Sequence, residues 1–179
     1  MAANNAITPV ILGLLAMHPL SGYDIKAVVD RSTRFFWAAS YGQIYPELRR
    51  LEEEGLILGE DAPNGARSRR VYKLTKAGRD ALREWLLGST VTIEYRDESL
   101  LRLFYADALP REEALLLLEG RKKGHEEYLE VLHAIEQLPG GKDPDFVDLV
   151  LRWGIEFNEW GAQWCETHLK RLRDATKAA

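Results

Sequence analysis

Six basic residues, Arg67, Arg69, Arg70, Lys73, Lys76 and Arg79, fall between Ala62 and Arg79 with no acidic residue among them, on a chain whose net charge is −4. Cations clustered in this way suit a polyanion, because each can neutralise a phosphate and release a counterion. A second set lies upstream, where Gln43, Arg49 and Arg50 recur on the polar side of a helical pattern. Gln matches the edge of adenine and Arg that of guanine in a major groove, and both side chains also reach phosphate. Tyr41 and Tyr45 flank this set with hydroxyls able to donate to phosphate. Arg49 and Arg50 stand beside the acidic run Glu52–Glu54, so a solvated helix surface is the bland alternative for them, and Tyr45 suits a core edge as well as a contact. The charge is unevenly spread: residues 1–88 hold 12 Lys/Arg against 10 Asp/Glu, residues 89–179 hold 12 against 18.

Catalytic patterns are missing from the sequence. His18, His125, His133 and His168 lie in separate contexts, and only Cys165 and His168 have a metal-like spacing. A zinc site needs three or four ligands. Neither a phosphate-cradling glycine loop nor a G-x-S-x-G nucleophile turn occurs, so the expectation is a protein with no catalytic site, cofactor or metal. The single cysteine, Cys165, excludes an intramolecular disulfide, which fits a reducing cytoplasm, and leaves a redox role to depend on thiol exposure. No apolar run approaches the roughly 18 residues of a membrane span, and the expectation is a soluble cytoplasmic chain.

The elements that must position the cations follow from caps and periodicity. Thr8-Pro9 predicts a helix start with Thr8 as cap, followed by the apolar face Val10, Ile11, Leu14 and Leu15 and a stop near Met17-His18-Pro19. Ser21 caps a second helix through Arg31, with Asp24 at its third position. Ser40 and Gln43 form an S-x-x-Q capping box that predicts a third helix from Ser40 to Glu54 and leaves Pro46 in its interior, at a cost of roughly 3 kcal/mol. Ile44, Leu48 and Leu51 mark its core side, with Gly42, Pro46, Arg49 and Arg50 opposite. Leu56–Leu58 reads as a strand, Ala62–Ala66 as a turn around Pro63-Asn64-Gly65, and Arg69–Leu74 as the returning strand. Thr75 then caps a fourth helix through Trp85, and Gly88-Ser89-Thr90 marks a boundary.

Beyond it the chain reads as helical: Asp97–Ala108, then Pro110 to Leu138, and finally Asp145 to about Arg173. The second of these is too long to bury on itself and calls for a partner. In the third, Phe146, Val150, Trp153, Phe157, Trp160 and Trp164 follow one another at steps of three and four. Trp153, Phe157, Trp160 and Trp164 can form a core or dimer interface, or line an effector pocket, and Gly154 and Gly161 allow a partner backbone or ligand to come close. Gly120 and Gly124 repeat that pattern in the preceding helix.

Three helices, a basic hairpin and a helix, in that order, describe a winged helix-turn-helix with a two-stranded wing over residues 1–88, followed by an α-helical dimerisation domain over residues 89–179; the fold class is mainly α. That architecture sets the third helix in a major groove and the hairpin beside it. Arg67, Arg69 and Arg70 then track the phosphate backbone or enter a narrow minor groove, with Lys73 behind them.

The runs Ile11–Leu15, Pro19-Leu20-Ser21-Gly22-Tyr23-Asp24-Ile25, Ser40-Tyr41-Gly42-Gln43-Ile44-Tyr45-Pro46-Glu47-Leu48, Leu51–Ile57 and Arg70–Arg79, in this order, resemble the PadR family of bacterial transcriptional regulators. The second half resembles the helical C-terminal domain of its longer, virulence-activator-like members in length and pattern. The resemblance implies a homodimer joined through its C-terminal helices on an inverted-repeat double-stranded DNA operator, usually as a repressor relieved by a small, often aromatic or drug-like, effector. It also implies that Ser40–Glu54 is the recognition helix and Ala62–Arg70 the wing. A winged-helix module that binds protein and reads no DNA is the alternative.

Overall fold

Thr8–Met17 contains no charged residue, and the reason is visible in the computed structural model, where this helix (α1) lies in the core of the first of two compact units, Met1–Ile93 and Glu94–Ala179. The structure describes residues 7–31, 41–64, 67–88, 96–138 and 146–177. Thr8 is the first helical residue and not a cap, so Pro9 falls at the second position, where no intrahelical N–H is required. The Thr8 hydroxyl is used elsewhere, as described below.

A two-residue strand, β1 (Leu20–Ser21), leads into α2 (Gly22–Arg31). Ser21 and Asp24 form a reciprocal capping box there: the Ser21 N–H donates to Asp24 Oδ2 at 3.0 Å and the Asp24 N–H to Ser21 Oγ at 3.3 Å. Ser40 lies outside the described residues. The third helix, α3, spans Ile44–Glu53 and is preceded by a 3-10 turn at Tyr41–Gln43, with no side-chain cap. This corrects the expected start at Ser40. Pro46 is the third residue of α3, within the first turn whose N–H groups have no partner anyway, so the interior-proline cost does not arise. The helix closes on Gly55 at φ +71°, with the Gly55 N–H on Glu52 O and the Leu56 N–H on Leu51 O, the paired bonds of a Schellman stop.

The wing consists of β2 (Ile57–Asn64) and β3 (Arg67–Leu74), antiparallel from Ile57↔Leu74 to Asn64↔Arg67. Pro63 and Asn64 therefore belong to a strand and not to the turn expected for them, and residues 65 and 66 lie outside the described residues. β2 is an edge strand, which accommodates the missing N–H of Pro63. β1 pairs with the other side of β3, so the expected two-stranded wing is part of a three-stranded sheet in the order β1-β3-β2. Two residues are too few to show an alternating pattern. Thr75 caps α4 (Lys76–Leu86) by accepting the Gly78 N–H at 3.1 Å. Ile11 and Leu15, Ile25 and Val29, Ile44, Leu48 and Leu51, Ile57 and Tyr72 meet in one core, where each large aliphatic residue contributes about 1.5–3 kcal/mol.

In the second unit, α5 (Glu98–Phe104) is capped by Asp97 and followed by a 3-10 turn at Ala106–Ala108, shorter than the helix expected to reach Ala108. Partial burial pushes the Asp97 carboxyl up, but Ser99, the Leu100 N–H and Arg121 together hold it well below the usual carboxylate range. Two long helices, α6 (Arg111–Glu136) and α7 (Phe146–Lys177), then run antiparallel, with Lys122 paired to Glu166 and Leu132 lying over Gly154. Leu115, Leu118, Cys165 and Leu169 form a small core between them. Burial pushes the Cys165 thiol up, the opposite of a redox-active cysteine. Among the described residues no helix is long and apolar enough to cross a membrane.

Candidate nucleic-acid interface

Helix α3 turns one face inward and the other to solvent. Ile44, Leu48 and Leu51 are fully buried, whereas Gln43, Pro46 and Arg49 are exposed. Tyr45 is both a packed and a surface residue: it is 53% exposed, yet its ring lies so close to Gly22 that a Cβ there would stand 2.7 Å from Tyr45 Cε1. Gly22 thus sets how near α2 comes to α3. Arg49 makes no salt bridge among the described residues. The side chain of Tyr41 lies outside the described residues.

Arg50, expected to reach a base edge or a phosphate, is engaged within the protein. Glu47, only 3% exposed, accepts from Arg50 Nη2 at 2.6 Å and from Arg50 Nε at 3.1 Å, and it also accepts the Thr8 hydroxyl of α1. Arg50 Nη1 reaches Glu54 Oε1 at 2.5 Å, and Nη2 also donates to Thr8 Oγ1 at 3.2 Å. These bonds, above all the one with Glu47, raise the guanidinium further above its already high ordinary value. Chemically this is an anchor fastening α3 to α1. Sequence reasoning missed Glu47: three residues after Ile44 and four before Leu51 it lies on the apolar face of α3, and only its residue type, usually exposed, concealed that.

The wing cations are held by carboxylates. Arg69 pairs with Asp24, the same residue that caps α2. Arg70 Nη2 meets Glu52 Oε1 at 2.6 Å and its Nη1 meets Asp61 at 3.3 Å, while Lys73 meets Glu60 at 2.6 Å. All three cations remain substantially exposed and can exchange a carboxylate for a phosphate. Arg67 is paired through its backbone with Asn64; its side chain lies outside the described residues. Arg69, Arg70 and Lys73 therefore form a row of ion pairs whose acids come from α2, α3 and β2, outside the reach of local sequence patterns.

On α7, Trp153 and Trp160 are 60% and 61% exposed, and Phe157 stacks on Trp153 with ring centroids 5.3 Å apart. Trp164 is set apart from them, packed on the Leu115–Leu118–Cys165–Leu169 cluster and against His168. Gly154 and Gly161 face α6 of the same chain: Gly154 lies under Leu132 and Gly161 under the His125 ring, where a Cβ would fall 2.5 Å from Cε1. Gly161 lets the His125 ring of α6 come close, whereas Gly154 stands at ordinary contact distance from Leu132. His125 Nδ1 and Asn158 Oδ1 are 2.8 Å apart beside that contact.

Residues 11–84 match the transcriptional regulator PadR-like family, and residues 95–173 match the family described as virulence activator alpha C-term. Over 172 residues, 90% of this chain and 94% of the relative, the sequence is 32% identical to the negative transcriptional regulator PadR of Bacillus subtilis. The crystal structure of Bacillus subtilis PadR in complex with operator DNA is similar with a TM-score of 0.83 at 31% identity, over 94% of this chain and 99% of that one. The complex of Bacillus subtilis PadR with p-coumaric acid is similar with a TM-score of 0.76 at 30% identity, over the same shares of the two chains.

Proposed function

The chain belongs to the PadR-like family of transcriptional regulators, and from this membership we propose that it is a homodimeric repressor that binds an inverted-repeat operator and releases it when a small aromatic acid binds. The first unit is the DNA-binding domain and the second the dimerisation domain. The reading gives the protein no enzymatic role and puts it in the cytoplasm with the DNA. One observation carries it: a helix fixed in the core by Ile44, Leu48 and Leu51 presents Gln43, Tyr45 and Arg49 to solvent beside a cation-bearing ribbon. Gln43 and Arg49 read base edges, Tyr45 (with Ser40 and Tyr41 ahead of it) reaches phosphate, and Arg67, Arg69, Arg70 and Lys73 follow the backbone.

Two recognition helices must stand about 34 Å apart to meet successive major grooves on one side of a duplex. A second copy supplies the other helix. The apolar stripe of α7, with Phe146 86% exposed and Trp153 and Trp160 beyond it, is the surface that second copy covers. The relative that binds p-coumaric acid supports an aromatic acid as the signal.

At low salt the protein should bind DNA from its own upstream region. In the double variant Arg69→Ala/Arg70→Ala, binding should weaken and its log-log dependence on salt should flatten by roughly 0.9 for each phosphate that is no longer neutralised. Wild-type protein that binds no such DNA would leave the protein-binding module as the reading. Titration with phenolic acids should quench tryptophan emission over the concentration range in which DNA is released. Quenching without any change in operator affinity would remove the effector from the proposal.

A further inference from the structure

One carboxylate joins three elements of the DNA-binding unit. Glu52, on the last turn of α3, uses the same oxygen, Oε1, to accept the backbone N–H of Gly59 on β2 at 2.9 Å and Nη2 of Arg70 on β3 at 2.6 Å. The Arg70 side chain crosses Gly59 to get there, and no side chain fits beneath it: a Cβ on Gly59 would stand 2.5 Å from Arg70 Nε and 2.7 Å from Glu52 Oε1. The contact is thus shaped for glycine, and both wing strands take their position from one residue of the recognition helix. The bond with Arg70, aided by the Gly59 N–H, also holds the Glu52 carboxyl below its ordinary range.

We propose that Glu52 is a positioning residue that sets operator specificity: it fixes the wing against α3, so that the wing cations reach phosphate at one offset only from the bases read by the helix. The inference rests on the DNA-binding reading above. A wing free to shift would still bind phosphate anywhere along a duplex, since phosphates repeat, but it would no longer reward the one register in which α3 meets its bases. Losing Glu52 should therefore lower discrimination more than affinity for arbitrary DNA, which should even rise slightly with one acid fewer near the backbone.

The test compares wild type, Glu52→Ala, Glu52→Gln and Gly59→Ala on selected operator DNA and on unrelated duplex at several salt concentrations, with amide exchange at Gly59 as a readout in the free protein. Glu52→Ala is expected to reduce the ratio of operator to unrelated affinity by roughly tenfold, the scale of one misread base pair. Exchange at the Gly59 amide should accelerate in the same variant. Glu52→Gln keeps an oxygen for Gly59 and should retain most of the ratio. Gly59→Ala, with Glu52 intact but pushed off Arg70, should reproduce the loss. An unchanged ratio in both alanine variants, or operator and unrelated affinities that fall together in step with thermal stability, overturns the inference. A wild type that binds no DNA overturns the functional reading and this inference with it; a wild type that discriminates normally beside an equally discriminating Glu52→Ala overturns this inference alone.

Discussion

Gly78→Ala should lower the melting temperature of the N-terminal unit by roughly 12–24 °C, from a loss of about 3 kcal/mol at about 4–8 °C per kcal/mol for a domain of this size. On an ordinary helix the same change would be favourable by up to about 1 kcal/mol. Here an added Cβ would stand 2.1 Å from the Leu56 carbonyl oxygen and 2.7 Å from Leu74 Cδ1. That carbonyl cannot simply retreat, because it accepts the Thr75 N–H at 3.1 Å and the Thr75 hydroxyl at 2.9 Å. Thr75 in turn caps α4 through the Gly78 N–H, so moving α4 away breaks the cap as well. Sterics therefore outweigh propensity, and the clash falls on backbone, which cannot rotate out of the way. Thermal unfolding followed by circular dichroism decides the matter; a melting temperature unchanged or raised would mean that the α4 seam yields at little cost.

Arg50→Ala should cost about 2–4 kcal/mol, toward the upper end for an ion pair because its partner is buried. Glu47 would keep the Thr8 hydroxyl but lose its two guanidinium bonds, which removes the positive charge that Arg50 sets against a buried carboxylate. Arg50 itself is partly exposed, which keeps the loss below that of a fully buried pair. Replacing both groups with apolar residues of similar size, Glu47→Leu/Arg50→Met, should recover part of the stability, since the buried carboxylate is removed together with the guanidinium that neutralises it. Urea unfolding of the three variants measures this directly. Operator binding well below the melting temperature adds a functional readout: an anchoring Arg50 leaves base preference unchanged in Arg50→Ala, whereas a relaxed preference at one base pair would restore it as a base contact. A loss below about 1 kcal/mol would instead class the network with ordinary surface pairs.

The parts of the fold that were legible in the sequence are those made by residues close together in the chain. The Ser21–Asp24 box and the Thr75 cap on Gly78 each span three residues, and the apolar steps Ile44, Leu48 and Leu51 lie on one helix face whatever surrounds it. The start of α3 was less legible, because Ser40 and Gln43 have the residue types of a capping box while the chain takes a 3-10 turn through Tyr41–Gln43 and begins its α-helix at Ile44. The same local types are compatible with both geometries, and the difference moves Pro46 from an interior position to the first turn. On α7 two apolar stripes compete. The structure seats Gly154, Ile155, Gly161 and Cys165 toward α6 and leaves Trp153 and Trp160 outward, with the His125 ring packed over Gly161 where no Cβ would fit.

By itself, then, the sequence determined the helices, the basic hairpin, the apolar stripe and the family, because propensity, capping and periodicity act within a few residues and motif order is read along the chain. Tertiary structure alone decided what each charge does. Arg50 became an anchor through Thr8, 42 residues away, Arg69 met Asp24 across 45 residues, and Arg70 met Glu52 across 18. A guanidinium looks the same in sequence whether it faces solvent or a carboxylate; only folding brings the carboxylate within hydrogen-bonding distance, and at that distance the partner, not the residue type, settles the role.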